Sequence, residues 1–250
     1  MSEAVDGAPP RFRVGVVGVG RAGSVLGAAL ERAGHHVVAV AAVSELSLAR
    51  ADALLPGARV MAPQDVAAGC DLLLLTVPDD VLPGLVAGLA AQHAFAPGQL
   101  VVHAAGRYGS AVLAPATAEG ALPLALHPVM TFSGTSTDLA RLDGCPFGVT
   151  SPDVLRPVAE ALVVEMGGDP VWVPEAARPL YHAALANGAN HLVTLVAQTL
   201  DLLAAVGVEE PAHLVSPLLH AALDNSLRAG DRALTGPVAR GDAGTVSAHL

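Results

Sequence analysis

The sequence contains no lysine: all 13 of its basic residues are arginine. Without lysine there is no Schiff-base chemistry, no P-loop amine for nucleotide phosphates and no catalytic amine activated by a lowered pKa. A GC-rich genome favouring Arg and Ala codons accounts for the bias, and the chemical exclusions hold whatever its origin. Cysteine is nearly as scarce. Cys70 and Cys145 are the only two. They can neither build a metal cluster alone nor form the framework of a secreted disulfide domain, so no metal site is expected. Charge is sparse and acidic, 14% of 250 residues with a net −10. With no basic stripe, that balance argues against duplex nucleic acid, where basic side chains must replace counterions. The opening MSEAVDGAPPRFR is acidic and then proline-rich, unlike a signal or transit peptide, and residues 1–10 read as a short disordered leader.

What the chain has in quantity is apolar side chains, 52% of the total. The span His182–Leu200 carries no charge and is long enough to cross a bilayer. Asn187, Asn190, His191, Thr194 and Gln198 interrupt it and no basic cluster flanks it, so it reads as a helix buried in protein, at a subunit interface, in a cytoplasmic chain. The first half alternates strand and helix patterns: Phe12–Val17, a glycine turn, Ser24–Ala33, His36–Ala42, Leu46–Leu55, a short strand at Val60 and Met61, and Asp71–Val77. Pro78 stops that last run, and Asp79 or Asp80 can cap the helix running to about Gln92. Further strands are expected at Gln99–His103, Leu122–His127, Phe147–Thr150 and Val171–Val173, with a helix at Pro152–Met166. This alternation specifies an α/β fold, a doubly wound parallel sheet of Rossmann type. After Pro174 only helical periodicity remains, at Pro179–Val206, Pro211–Ala229 and from Asp242. The expected organisation is therefore an α/β domain over 11–174 and an all-helical domain over 175–250. The final TVSAHL falls inside a helical pattern with no stop signal, which suggests that a terminal helix is missing.

Gly18-Val19-Gly20-Arg21-Ala22-Gly23 matches G-x-G-x-x-G, directly after the strand RVGVV and directly opening a helix. That context makes it a dinucleotide turn: Gly18 for the bend, Gly20 for close approach of a pyrophosphate, Gly23 for packing helix on strand. The phosphates would rest on the helix N-terminal amides. An NAD-preferring second strand ends in a carboxylate; here it ends in Val43-Ser44-Glu45, with Arg21 and Arg50 available. Serine with arginine suits the 2′-phosphate of NADP, while Glu45, one register step away, keeps NAD open.

Along the long helix, Asn187, Asn190, His191, Thr194, Gln198 and Asp201 lie at offsets 0, 3, 4, 7, 11 and 14. At ~100° per residue they form one polar stripe on an otherwise apolar helix. Facing a crevice, Asn187 and His191 could orient a substrate carboxylate or carbonyl; facing solvent or a second subunit, they would do neither. His103 and His127 end strands, where a doubly wound sheet borders its ligand crevice. His127, followed by the donor-rich loop Met130–Gly134, is the better candidate for exchanging a proton as hydride leaves or arrives. His103 has a structural alternative. His182 and His220 read as packing residues, Cys145 as buried, Gly236-Pro237 as a turn and Asp242 as an N-cap.

Taken together, GVVGVGRAG, LLLLTVPDD, VVHAAGRYG, ALHPVMTF, YHAALANGANHLVTL and DNSLRAGDRALTGPVARGD resemble the predicted oxidoreductases that join a Rossmann-like domain to a helical C-terminal domain. The resemblance runs from about Arg11 to Leu250. It extends more broadly to pyrroline-5-carboxylate reductase, ketopantoate reductase, 6-phosphogluconate dehydrogenase and prephenate dehydrogenase. It implies a substrate cleft between the domains and a homodimer built by the helical one. It also implies that Thr76-Val77-Pro78 passes the nicotinamide ribose, with His103 beside the cofactor, and that His127-Pro128 is similar to the His-Pro element that meets the reacting hydroxyl in prephenate dehydrogenases. Asn187 falls where relatives use a Lys-x-x-x-Asn pair, but the lysine position is Ala183, which moves proton chemistry onto histidine. The expected activity is hydride transfer between NADP and a small polar, carboxylate-bearing keto, hydroxy or imino substrate, with His127, Asn187 and His191 catalytic. The alternatives are a non-catalytic dinucleotide sensor and, more remotely, a methyltransferase.

Overall fold

The computed structural model describes residues 11–248; the expected leader and the last two residues lie outside them. In chain order the elements are β1 (Arg13–Val17), α1 (Arg21–Arg32), β2 (His36–Ala41), α2 (Glu45–Leu54), β3 (Arg59–Val60), α3 (Pro63–Ala68), β4 (Leu72–Leu75), α4 (Leu82–Ala91) and β5 (Leu100–His103). They continue with α5 (Ala114–Ala118), β6 (Leu122–Pro128), α6 (Thr137–Arg141), β7 (Pro146–Thr150), α7 (Arg156–Glu165), β8 (Asp169–Trp172), α8 (Arg178–Ala205), α9 (Pro211–Ala229), α10 (Pro237–Arg240) and α11 (Ala243–Ala248). Two compact units result, one running to Leu185 and one beginning at Ala186, with α8 passing from the first into the second.

The first unit holds one eight-stranded sheet in the order β3-β2-β1-β4-β5-β6-β7-β8. All neighbours are parallel except β6 and β7. Its central strands are apolar because both faces are covered. Along β4, Leu72 and Leu74 enter one core with α1 and α7, while Leu73 and Leu75 enter the other with α3, α4 and α5. Strand order reverses at β1, whose neighbours β2 and β4 leave in opposite directions, and that is where an open α/β sheet forms a crevice at its carboxyl edge.

Three local expectations are corrected. Neither Asp79 nor Asp80 caps α4: the N-cap position is Val81, without a side-chain cap, and the Pro78 carbonyl accepts from the Val81 and Leu82 amides instead. The helix expected at Pro152–Met166 opens as a 3-10 turn, Asp153–Leu155, because Pro157 lies in the first turn of α7 and cannot donate to a preceding carbonyl. The strand expected at Val171–Val173 runs from Asp169 to Trp172, in parallel register with β7.

The second unit is helical. An amphipathic helix that packs in a core buries a stripe on every turn, yet Val215 is the only buried residue among the described residues of this unit. Leu195, Leu202 and Leu227 are 54%, 71% and 80% exposed. Asp242 caps α11 as expected, accepting from the Thr245 amide at 3.1 Å. No described helix is long and apolar enough to cross a membrane, and no described group of three His, Cys, Asp or Glu could hold a metal ion.

Candidate active site

The carboxyl ends of β2, β1, β4, β5 and β6 follow one another along a single sheet edge, and each carries residues singled out in the sequence. At β1 the chain bends through Gly18, whose φ is +95°, a left-handed conformation that only glycine takes at low cost. The Gly18 amide donates to Ala41 O at 3.0 Å, and Thr76 Oγ1 donates to Gly18 O at 2.7 Å, tying β1 to β2 and β4. A Cβ on Gly23 would overlap both Gly18 O and Thr76 Oγ1, so glycine there lets α1 start directly beneath the turn. A Cβ on Gly20 would meet nothing within 4 Å. The first bond of α1 runs from Ser24 N–H to Gly20 O at 3.2 Å, so the amides of Arg21, Ala22 and Gly23 stand outside the helical ladder beside that open space. Val19 turns its side chain into the core and offers only its backbone.

Beyond Thr76, Val77 and Pro78 line the edge, and buried Asp79 Oδ2 has no partner among the described residues. A buried carboxylate oxygen without a donor is costly, and a ribose hydroxyl or carboxamide N–H is the kind of group it lacks. At β2, Ser44 caps α2 by accepting from the Ser47 amide at 3.2 Å. Nearly two turns on, Arg50 meets Arg21 against the Gly134 backbone, where a Cβ would come within 2.7 Å of Arg50 Nε and 3.0 Å of Arg21 Cγ. Asp138 holds that loop by accepting from the Ser133 and Gly134 amides at 2.7 and 2.8 Å. Arg21 and Arg50 thus both border the Gly134 loop, at the sheet edge where Ser44 opens α2, and these are residue types suited to a phosphate monoester. Gly turn, free amides, orphaned carboxylate and paired arginines fit the parts of a nicotinamide dinucleotide phosphate.

His127 closes the row. Its Nδ1 lies 2.8 Å from Tyr181 Oη, and its ring stands edge-on to His182 at 6.0 Å. Tyr181 and His182 come from the first turns of α8, in the first unit. Two glycines make the cluster possible. His127 pairs with Gly148 across β6 and β7, and a Cβ on Gly148 would strike the Tyr181 hydroxyl. A Cβ on Gly106 would meet His182 Cδ2 at 2.5 Å and His127 Nε2 at 2.9 Å. Beneath them Arg178 is fully buried, donating from Nε to Thr150 Oγ1 at 2.7 Å and from Nη2 to Gly148 O at 3.0 Å and Ala125 O at 3.2 Å. Its Nη1 has no partner among the described residues. Loss of solvent, then the positive charge of Arg178, pushes the His127 pKa down to about 4. Desolvation raises that of the Tyr181 phenol. At neutral pH the pair is therefore a neutral imidazole on a neutral phenol, in a field set by a buried guanidinium.

The remaining sequence candidates sit differently. His103 is completely buried, with Nε2 bonded to Gly109 O at 2.9 Å and Nδ1 accepting from the Ala105 amide at 3.2 Å. Both nitrogens are taken, so its ring shapes the 103–109 loop and is closed to a bound cofactor. Desolvation holds its pKa near 4 as well. His182, expected to pack, instead faces His127. Asn187 and His191 belong to the second unit, exposed and joined to each other, His191 Nδ1 to Asn187 O at 2.8 Å. Sequence reasoning missed Arg178, Tyr181 and the orphaned Asp79. The available signal was a glycine inside the strand PFGVT, which marks a close approach by something bulky.

Two families match by sequence: the Rossmann-like domain over residues 1–128, and a domain of unknown function (DUF2520) over 145–250. No curated protein matches significantly. Among solved structures, a Bacteroides fragilis protein provisionally named an NADP oxidoreductase is 21% identical, covering 96% of this chain and 90% of its own, at a TM-score of 0.76. An imine reductase from Streptomyces aurantiacus is 21% identical over 93% of this chain and 78% of its own, at 0.66. Pyrroline carboxylate reductase from Plasmodium falciparum, with NADP bound, is 12% identical over 88% and 80%, at 0.60. At these identities the likeness is one of fold.

Proposed function

The chain belongs to the Rossmann-like domain family, and from that premise we propose that it is an NAD(P)-dependent oxidoreductase acting on a small polar substrate. The observation that carries the reading is the unbroken row along the sheet edge: open space at Gly20 beside three free amides, then Thr76-Val77-Pro78, then His127. Bound at that edge, a reduced nicotinamide dinucleotide supplies hydride. The residues of this chain do the rest. Amides of Arg21, Ala22 and Gly23 hold the pyrophosphate, Asp79 takes a donor from the ribose or carboxamide, and the His127 pair manages the proton. NADP is the preferred form, because Arg21, Arg50 and Ser44 offer cations and a hydroxyl where NAD would need a carboxylate. The solved structures named above as NADP oxidoreductase or NADP-bound reductase support the same choice.

The working assembly is a homodimer through the second unit, whose leucines Leu195, Leu202 and Leu227 lack cover, in a cytoplasmic protein. Asn187 and His191 are proposed to orient substrate, as the uncharged donors of the polar stripe. The test is NADPH binding by nicotinamide fluorescence and calorimetry, with Gly20→Val beside wild type. The variant's side chain enters space free of protein, so folding is unaffected while binding falls at least about tenfold, the cost of displacing a charge-assisted contact. A wild type that binds neither NADPH nor NADH ends the proposal. A protein that binds NADPH but turns over no substrate in a panel of keto and imino compounds is a sensor instead.

A further inference from the structure

Resting on the dinucleotide reading above, we infer that Tyr181 hands a proton to the substrate, positioned by His127, and that the site takes a small carbonyl compound, neutral or anionic, rather than a protonated imine. Three observations carry this. The phenol is seated by construction: Gly148 is bare where the hydroxyl lies, and His127 Nδ1 is 2.8 Å from it. With its proton on Nδ1, His127 donates to Tyr181 Oη and leaves the phenol O–H free to face outward. Second, among the described residues the charged neighbour of this pair is Arg178, whose contacts are all uncharged, namely Thr150, Ala125 and Gly148, and whose Nη1 is unpartnered. Of the other groups around the pair, His103 and His182 carry no negative charge and Cys145 is a buried thiol; the Glu175 carboxylate does act on Arg178, but it is exposed to water and held by the Ser110 hydroxyl and the Ala111 amide, so its charge is screened. The local potential is therefore positive.

That potential sorts substrates. A protonated imine arrives as a cation and leaves as an ammonium, so at every stage it is repelled by a buried guanidinium whose carboxylate neighbour, Glu175, is screened by water. A carbonyl arrives neutral, or with a carboxylate that the guanidinium attracts, and gathers negative charge on oxygen as it reacts, which the same field favours. The step balances. The carbonyl carbon gains a hydride and its two electrons from the reduced dinucleotide, and the C=O π pair moves to oxygen. That oxygen takes the Tyr181 proton to become a hydroxyl. The phenolate is then restored from water through His127, Nε2 gaining a proton as Nδ1 passes its own to Oη.

The experiment loads the full-length protein with NADPH and titrates it calorimetrically with oxamate, an anionic carbonyl compound, and with piperidine, a cyclic ammonium. Oxamate is expected to bind and piperidine not. Tyr181→Phe should weaken oxamate at least about tenfold, one charge-assisted hydrogen bond, with NADPH affinity unchanged. Turnover of 2-oxo acids by Tyr181→Phe should fall roughly 100-fold in kcat, with KM moving much less. His127→Ala should fall comparably in both oxamate affinity and rate, whereas His127→Asn, which keeps a donor at the Nδ1 position but cannot relay a proton, should recover oxamate affinity and not turnover. Binding of piperidine without oxamate, binding of neither, or a Tyr181→Phe variant equal to wild type overturns the inference while leaving the dinucleotide reading intact. Failure of NADPH itself to bind removes both.

Discussion

The two units of this chain solve burial in opposite ways. In the first, every residue of β4 is buried and sorted alternately into two cores, so the sheet is closed on both faces by its own helices. In the second, two long helices bring Leu192, Val196, Leu200, Val215, Leu219 and Leu223 around an apolar groove, and rows of leucine and valine beyond it stay uncovered. The sequence composition of the two is similar, rich in Ala, Leu and Val. What differs is whether a chain of that composition has enough partners of its own. Polar chemistry follows the same division: the first unit buries His103 and Asp138 with bonds to satisfy them and Arg178 with all but Nη1 bonded, while the second bonds His191 and His220 to its own helix carbonyls. A unit that closes itself can hold a desolvated site. A unit that does not can be completed by a second copy.

The largest expected effect tests that last point. Leu195 and Leu202 lie seven residues apart on one face of α8, 54% and 71% exposed. In a dimer covering them, Leu195→Glu with Leu202→Glu should weaken association by about 4 kcal/mol, near a thousandfold in Kd, from the lost apolar burial and the charge introduced. Sedimentation velocity should then give monomer where wild type gives dimer, and the melting of the second unit should lose its dependence on concentration. A wild type that is already monomeric at micromolar concentration breaks the comparison.

Acid should strike the first unit in particular. His103 and His127 are held near pKa 4 by desolvation, below the ordinary value of 6.5. The unfolded chain takes up their protons below about pH 6.5 and the folded one does not until about 4, so stability declines as pH falls through that window and levels off beneath it. For fully buried His103 the contribution is on the order of 3 kcal/mol; the less buried His127 adds in the same direction. Urea unfolding of the first unit at pH 7.5 and pH 5 measures it, and His103→Asn should flatten the dependence. An equal loss in that variant would mean that the acid sensitivity lies elsewhere.

Most of the first unit was legible. Continuous runs such as LLLL, broken by Pro78, announce strands covered on both faces, and a G-x-G-x-x-G that follows a strand and opens a helix announces its turn through the conformations that only glycine permits. What could not be read were contacts between segments distant in sequence. Tyr181 meets His127 across 54 residues, and Arg178 meets Thr150 across 28, through strand pairing that no local pattern encodes. His103 shows the converse error: its place at a strand end was legible, but its use of both nitrogens within its own loop depends on the exact path of residues 103–109. In the second unit the helices were plain, and the direction of the polar stripe was not, because nothing within a helix says which face will find a neighbour.

A smaller effect examines how the first unit satisfies its buried cation. Thr150 Oγ1 accepts from Arg178 Nε at 2.7 Å while donating to the Val173 carbonyl. Thr150→Val keeps the shape and removes both bonds, so it should cost about 2 kcal/mol, as expected for a hydrogen bond to a charged group. The loss should appear in the unfolding of the first unit and leave the association of the second unchanged.

The smallest separates two roles of one residue. Ser44 caps α2, the helix that carries Arg50, through the Ser47 amide. Ser44→Ala should lower first-unit stability by about 1 kcal/mol, the usual value of a lost cap. If the hydroxyl also meets a 2′-phosphate, NADPH affinity should fall further than NADH affinity, both measured by nicotinamide fluorescence. If both nucleotides weaken equally, the cap is the whole of its function, and the preference for NADP rests on the arginines, where Arg50→Ala should abolish it without touching the Ser47 cap.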